Sequence, residues 1–318
     1  MLKHALALGC LAALPLVSSA SYEMGLVMQG LKVHRWDPVS NTYLGNFNLL
    51  ASGTSIISYQ STGESYVLSG SWVYKYDYNS GEYRGRVDVG AGAGSISKGM
   101  NDGEFLIGYS GNVLRRSVAT GAAIGTPLAW AGGGFSYLEG AAAMRSTGVY
   151  YLLAERTTYF EDYDYLIGVN SSSTWVGNFR NAGIWGGTNS GIRGGDVSGN
   201  LVGFLTTISG SNQFSTEYAR RNASDTLDYA FDNLSIGASR PSYMLFGHNE
   251  SAVRLLGSNS GYFFTRTSFD GGFGATQTLL SWIDPAADVN GFSMIVAPEP
   301  GSLAAIGLGA LLLLRKRK

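Results

Sequence analysis

The chain has few residue types that carry chemistry. It holds one cysteine, Cys10, in 318 residues. Cys10 lies in an apolar N-terminal stretch that reads as a removable leader. Without that leader the chain has no thiol nucleophile, no thiolate metal ligand and no disulfide. Histidine is nearly as scarce: His4, His34 and His248. His4 falls in the leader, His34 alternates along an expected strand and His248 sits in an expected turn. Two separated histidines without HExxH spacing do not make a zinc motif. There is no G-x-S-x-G elbow and no P-loop. The glycine runs at 90–94 and 132–134 are followed by no helical pattern, so phosphate cradling has no support. Charged residues make up only 14% of the chain, and sustained helical periodicity is missing from its body. The acidic run at 161–164 lacks the glycine-spaced pattern of a calcium loop and reads as a solvated turn. The sequence therefore assigns no catalytic residue, no metal ligand and no cofactor, and the expectation is a non-enzyme.

The ends carry more information than the middle. Lys3 and His4 precede an apolar stretch at 5–17, and Ser18, Ser19 and Ala20 are small. This is the layout of a secretory signal peptide over residues 1–20, with cleavage expected after Ala20. A lipoprotein reading of Gly9-Cys10 is disfavoured by the short apolar stretch before it and by Ala at position 7. Of 22 Lys and Arg, five are Lys3 and the last four residues. The remaining 17 face 23 Asp and Glu, a balance of about −6. An acidic body argues against nucleic acid or anionic lipid as a standing partner.

At the other end, Pro298, Glu299 and Pro300 stiffen the backbone against helix. Residues 302–314 carry no charge, and Arg315, Lys316, Arg317 and Lys318 close the chain. Thirteen residues rise about 20 Å as a helix against roughly 30 Å of hydrocarbon, so the span is short and leans on its flanks. The basic end is expected on the cytoplasmic side. The Pro-Glu-Pro motif, the short span with Gly307 and Gly309, and the basic end, in that order, resemble the PEP-CTERM sorting signal. The resemblance covers residues 297–318 only. It implies export, transient anchoring in the inner membrane by a short C-terminal helix, and processing by an exosortase-type enzyme. Signals of this family occur in bacteria that make exopolysaccharide. The resemblance thus implies a surface or extracellular location, with exopolysaccharide or other surface proteins as partners.

Between the signals, short alternating runs are separated by Gly, Asn, Asp and Ser, as strands and turns are. They repeat. Residues 23–37 read EMGLVMQGLKVHRWD, 64–77 read ESYVLSGSWVYKYD and 104–117 read EFLIGYSGNVLRRS. Trp36, Tyr76 and Arg116 are equivalent, 40 residues apart. A further strand follows each, at 43–49, 83–89 and 124–130. Three more units follow at wider spacing, ending with strands at 174–179, 226–231 and 275–283. Five units own four strands and the first owns three. The run VNGFSMIV at 289–296 belongs to no later unit and is the natural strand to complete the first. The expectation is an all-β fold, a six-bladed β-propeller over residues 21–296 whose N- and C-terminal strands share one blade. A β-sandwich, a β-helix or a seventh blade are the alternatives.

The recurring turns at 37–41, 78–81 and 119–121 place Asp, Asn, Ser or Thr before Gly or Asn, as a hairpin with one left-handed residue requires. Trp36 and Tyr76 are read as packing between blades rather than as ligand platforms. By propeller geometry the links at 130–134, 181–191 and 233–240 share a rim with the turn at 156–162. Trp130, Tyr159 and Trp185 on that rim are the candidate ligand contacts, since aromatics beside amide and guanidinium groups suit sugar faces. The leading functional reading is an exported binding or structural propeller. The alternative is a polysaccharide-acting propeller enzyme, a glycoside hydrolase or lyase.

Overall fold

A computed structural model describes residues 21–109, 111–129, 137–144, 148–157, 162–181, 191–198, 201–207, 213–221, 227–235, 241–246, 253–257, 262–266, 276–284 and 287–298. Its regular elements are all strands. The first sheet takes β1 (Ser21–Gln29), β2 (Lys32–Asp37) and β3 (Thr42–Asn48). The second takes β4 (Ser55–Tyr59), β5 (Glu64–Ser69), β6 (Trp72–Asp77) and β7 (Tyr83–Asp88). The third takes β8 (Ser95–Lys98), β9 (Glu104–Tyr109) and β10 (Asn112–Ser117). The fourth is built from β11 (Tyr137–Met144), β12 (Val149–Thr157), β13 (Asp162–Val169) and β14 (Trp175–Asn181). The fifth is built from β15 (Gly191–Ser198), β16 (Leu201–Thr207), β17 (Gln213–Arg221) and β18 (Leu227–Ser235). The sixth holds β19 (Pro241–Phe246), β20 (Val253–Gly257), β21 (Tyr262–Arg266) and β22 (Thr276–Leu279). The last strand, β23 (Val289–Pro298), joins no sheet of its own.

Among the described residues these strands form six antiparallel sheets. Five use consecutive strands in sequence order. The first runs β23-β1-β2-β3, so the C-terminal strand lies beside the N-terminal one. Their register pairs Ser21 with Pro298, Gly25 with Met294 and Gln29 with Val289. The first strand of each sheet contacts the first strand of the next: β23 with β4, β4 with β8, β8 with β11, β11 with β15 and β15 with β19. β19 in turn contacts β23.

The core lies between sheets rather than within one. Met24, Leu26, Met28 and Phe47 of the first sheet meet Ile56, Val67 and Tyr76 of the second. Ile57, Tyr66 and Val73 of the second meet Ile96, Phe105 and Ile107 of the third. Leu106 and Val113 of the third meet Ala141, Tyr150 and Val169 of the fourth. Leu256 of the sixth, with Leu280 and Ile283 just after it, meets Val27, Trp36 and Phe292 of the first. Strand alternation explains this: the first, second and third sheets each have apolar residues on both faces because each is covered on both.

The turns follow the repeat. Asp37 accepts the Val39 and Ser40 N–H at 2.8 and 3.2 Å, and Asp77 accepts those of Asn79 and Ser80 at 2.9 and 2.8 Å. Asn41, Gly81 and Gly121 take the left-handed position, with φ of 53°, 76° and 74°. Gly81 also lies tight on the preceding sheet: a Cβ there would stand 2.2 Å from Cβ of Phe47.

Three strand readings change. Among the described residues, 124–129 form no fourth strand of the third sheet; the segment is tied to β10 by the bridges Val113–Leu128 and Arg116–Ala123 and by the Ile124 N–H, which donates to the Arg115 carbonyl at 2.8 Å. Gly125 has φ of 67°, and Pro127 has no N–H to give a ladder. Asp162 and Asp164 are strand residues of β13, paired with Thr157 and Glu155, rather than turn residues, while Glu161 lies outside the described residues. The closing strand runs two residues past Val296, through Ala297 and Pro298.

Gly81→Ala and Gly63→Ala separate backbone strain from contact between sheets. Gly63 has φ of 69° and open space where a Cβ would be. Gly63→Ala is expected to cost about 1–2 kcal/mol from the left-handed backbone alone. Gly81→Ala carries the same strain plus overpacking of about 1–3 kcal/mol against Phe47. Urea midpoints at constant slope check the order; equal midpoints contradict the packed seam.

Candidate functional site

The first sheet has two unlike ends. At the Val289 end, side chains clamp the chain. Gln29 donates from Nε2 to the carbonyls of Asp284 and Ala287 at 3.0 and 2.9 Å, and its Oε1 accepts the Asp284 N–H at 3.2 Å. Asn290 accepts the Gly30 N–H at 3.1 Å. Asn290 is passed over in the ladder, between Met28–Gly291 and Gln29–Val289. Similar bulges interrupt three other first strands near their starts. They fall at Glu139 in β11, at Arg193 and Gly194 in β15, and at Ser242 in β19. Bulges bend a strand and re-aim its side chains, and sheets place them near functional sites. The links into β11 and β15 contain Trp130 and Trp185. The turn holding Tyr159 leaves β12 beside the start of β11, where Tyr137 pairs with Glu155. Trp130, Tyr159 and Trp185 themselves lie outside the described residues.

The other end of the first sheet carries Ser21 and Pro298. Pro298 is the last residue of β23 and pairs with Ser21, the first residue after the expected leader. Ala20, Glu299, Pro300, Arg315, Lys316, Arg317 and Lys318 lie outside the described residues, as does the expected helix at 302–314. No helix among the described residues is long and apolar enough to cross a membrane.

Two side-chain clusters join sheets, and the sequence reading missed both. Between the sixth and first sheets, Trp282 lies 5.2 Å from Tyr43, stacked at 26°, and 5.3 Å from His34. The fully buried Trp36 adds a face at 6.1 Å and donates Nε1–H to Asn41 at 3.1 Å. His34 Nδ1 lies 3.3 Å from the Tyr43 hydroxyl, which also accepts from Asn46 at 2.7 Å. Burial, and after it the Lys32 ammonium, push His34 below its ordinary 6.5. Trp36 is thus a packing residue, as its repeat position suggests.

Between the third and fourth sheets lies a buried charge. Glu104 is 2% exposed. It accepts from Arg115 at 3.1 Å and from the Tyr150 hydroxyl at 3.0 Å. The Arg115 guanidinium sits 5.3 Å from the Tyr150 ring centroid. Tyr59 of the second sheet donates to the Glu104 carbonyl and accepts the Gly99 N–H at 2.9 Å. Burial, then the Glu104 carboxylate, push the Tyr150 phenol up to about 12. Each polar atom named has a partner, so the cluster braces sheets rather than offering a reactive group. A sequence signal for it exists: Glu104 faces Ser117, and Arg115 is two residues back on the same face of the hairpin.

Among the described residues, no group of three His, Cys, Asp or Glu is placed to hold a metal. β4 (SIISY) and β8 (SISK) are rich in Ser and Ile. Lys98 on β8 reaches the Met294 carbonyl of β23 at 3.5 Å, past the intervening β4.

With the Ser21–Pro298 end in view, one comparison decides. Residues 296–318 match the PEP-CTERM protein-sorting motif. The motif marks an exported protein, transiently held at the membrane and processed by an exosortase-type enzyme. Curated protein sequences give no match. Solved structures do, at the level of fold. A structure of a nidogen/laminin complex is 10% identical, covers 86% of this chain and 98% of its own, with a TM-score of 0.59. A 6-phosphogluconolactonase-like protein from Bacteroides fragilis is 11% identical, covers 87% and 99%, with a TM-score of 0.57. Hydrazine synthase from Kuenenia stuttgartiensis is 12% identical, covers 74% and 70%, with a TM-score of 0.53. The lactonase-like and hydrazine synthase structures are propeller-like folds, and the body of this chain resembles them.

Two outcomes follow from the clusters. Glu104→Gln leaves Arg115 without its counter-charge and is expected to cost about 3 kcal/mol in chemical denaturation. Tyr150→Phe removes one neutral donor and is expected to cost about 1 kcal/mol. Because His34 is lowered in the folded state, its neutral form contributes stability fully above about pH 6.5. That stability is lost as pH falls from there through the folded value. The urea midpoint of the natural chain should fall more between pH 7 and pH 5 than that of His34→Gln. Parallel pH profiles would remove His34 from the account.

Proposed function

We propose that the body, residues 21–296 with the strand end at 297–298, is a closed six-bladed propeller. It is delivered to the cell surface or matrix and serves there as a binding or structural module. Several observations support the closed form. The sheets follow one another in sequence, their first strands contact in order from β23 round to β19, and apolar residues of the sixth sheet pack on the first. The likeness to propeller-like structures points the same way.

The observation that carries the role is the sorting motif at 296–318, continuous with the closing strand. A signal that ends in release suits a folded body whose work is done outside the cell. The ligand surface we favour is the bulged end of the first strands, where Glu139, Arg193, Ser242 and Asn290 interrupt the ladders. Amide, carboxylate, guanidinium and hydroxyl groups at one end, with Trp130, Tyr159 and Trp185 in the neighbouring links, suit polysaccharide hydroxyls and ring faces.

Intact mass of the protein recovered from the cell surface or medium tests the sorting half. The chain is expected to begin at Ser21 and to lack Arg315–Lys318. Cytosolic protein with both ends intact would sink it. A glycan array probed with that mature protein tests the binding half. Retention on one glycan class supports binding, and shortening of the arrayed chains supports the alternative hydrolase or lyase. An array left untouched points to a purely structural module.

A further inference from the structure

The sorting motif and the folded body share residues. The motif begins at residue 296. Val296, Ala297 and Pro298 are strand residues, paired with Glu23, Tyr22 and Ser21. Only residues 299–301 separate Pro298 from the uncharged run at 302–314. Three residues span at most about 10 Å. The Pro-Glu-Pro segment therefore has no spacer that lets it stand clear of the sheet.

An enzyme that reads a short motif takes the chain as an extended segment with its backbone and side chains engaged. A cleft cannot surround Pro298 while β1 covers one edge of the same strand. Closure of the first sheet and recognition of the motif compete for the same three residues.

We propose that the outer end of the β1–β23 ladder is a latch that must open for the tail to be processed. The pairs Ser21–Pro298, Tyr22–Ala297 and Glu23–Val296 form it. This inference rests on the sorting function proposed above and adds how the folded body regulates it.

The ladder shows where opening stops. Met24, Leu26, Met294 and Ile295 are buried in cores shared with the neighbouring sheets. Ala297 has only a methyl side chain, and Pro298 has no N–H to give the ladder. Ladder ends with few buried contacts open at low free energy, while core strands open only with the whole fold. The latch parts at three pairs, and residues 289–295 stay in place. The processed body thus keeps its closing strand. Ser21 and Pro298 also put the sites of both processing events at one end of one sheet. That end, with the turns at 37–41, 77–81 and 117–121, faces the membrane while the tail holds.

The test uses the full chain in its producing cell, with a disulfide staple, Tyr22→Cys with Ala297→Cys, across a facing pair. Intact mass follows leader removal and tail release separately. The oxidised staple is expected to slow tail release at least ten-fold, with leader removal unchanged, and dithiothreitol to restore it. A second variant inserts Gly-Ser-Gly-Ser-Gly-Ser between Ala297 and Pro298, which carries the Pro-Glu-Pro segment clear of the sheet. It should be released at least as fast as the natural chain, with or without the staple. Release of the oxidised staple at the natural rate overturns the latch and leaves the sorting function standing. Failure of the staple to form overturns it by removing the pairing. A natural chain that is exported and loses its leader but keeps its tail overturns the sorting function, and the latch with it.

Discussion

The pairing of β1 with β23 is the constraint on which the rest depends. Sheets two to six are each made from consecutive strands, so their contacts are local. The first sheet alone draws on both ends of the chain. Closing a flexible loop of some 260 residues costs about 5 kcal/mol beyond a constant. Against this, β23 buries Val289, Phe292, Met294 and Ile295. At roughly 1.5–3 kcal/mol for each apolar side chain, burial exceeds closure. The margin comes from the cores on either side of sheet one, since Ile295 packs toward the second sheet and Phe292 toward the sixth. The closing strand is thus held by two neighbouring sheets as well as by its ladder.

The same repeat position does the same geometric task with three chemistries. Trp36 packs, tilted at 49°, against Trp282 in the link that follows the sixth sheet. Tyr76 accepts the Leu50 N–H at 2.9 Å, just after the last strand of the first sheet. Arg116 donates to the Val89 carbonyl at 2.8 Å, just after the last strand of the second. In each case the side chain reaches back to the segment leaving the preceding sheet. In these three units the position takes a long side chain with a flat head, an indole, a phenol or a guanidinium. These residues are seam bolts, and their aromatic character alone says nothing of a ligand.

How much of this was legible follows from range. Strands two to four residues from a glycine turn were readable from alternation, and their order followed from the 40-residue repeat. The closing strand was readable by counting, because 289–296 had no unit of its own. What was not legible depends on distance across space or on one special residue. Glu104 and Arg115 meet only once the β9–β10 register is known. Gln29 finds carbonyls more than 250 residues away. Residues 124–130 alternate like a strand, yet Gly125 and Pro127 limit the described part to isolated bridges. In the sequence Pro298 reads only as stiffening the backbone against helix, past a strand ending at 296; at the last position of an edge strand its missing N–H costs little.

That last point joins the fold to the sorting signal. A strand that must close a sheet and also be read by another protein faces opposing demands along its length. Closing calls for bulk and hydrogen bonds, and reading calls for a segment that leaves its partner easily. β23 separates them by position. Gln29 holds the segment that enters it at Asp284 and Ala287, Asn290 accepts the Gly30 N–H near its start, and its middle holds the buried Phe292, Met294 and Ile295. Its last residues, Ala297 and Pro298, are small or lack a donor. Gly25, opposite Met294, marks where strength is concentrated: a Cβ there would stand 2.5 Å from the Trp36 ring. Sheet one is thus closely packed two pairs inside the point where the motif begins. Stability graded in this way lets one end of the strand be surrendered without loosening the other.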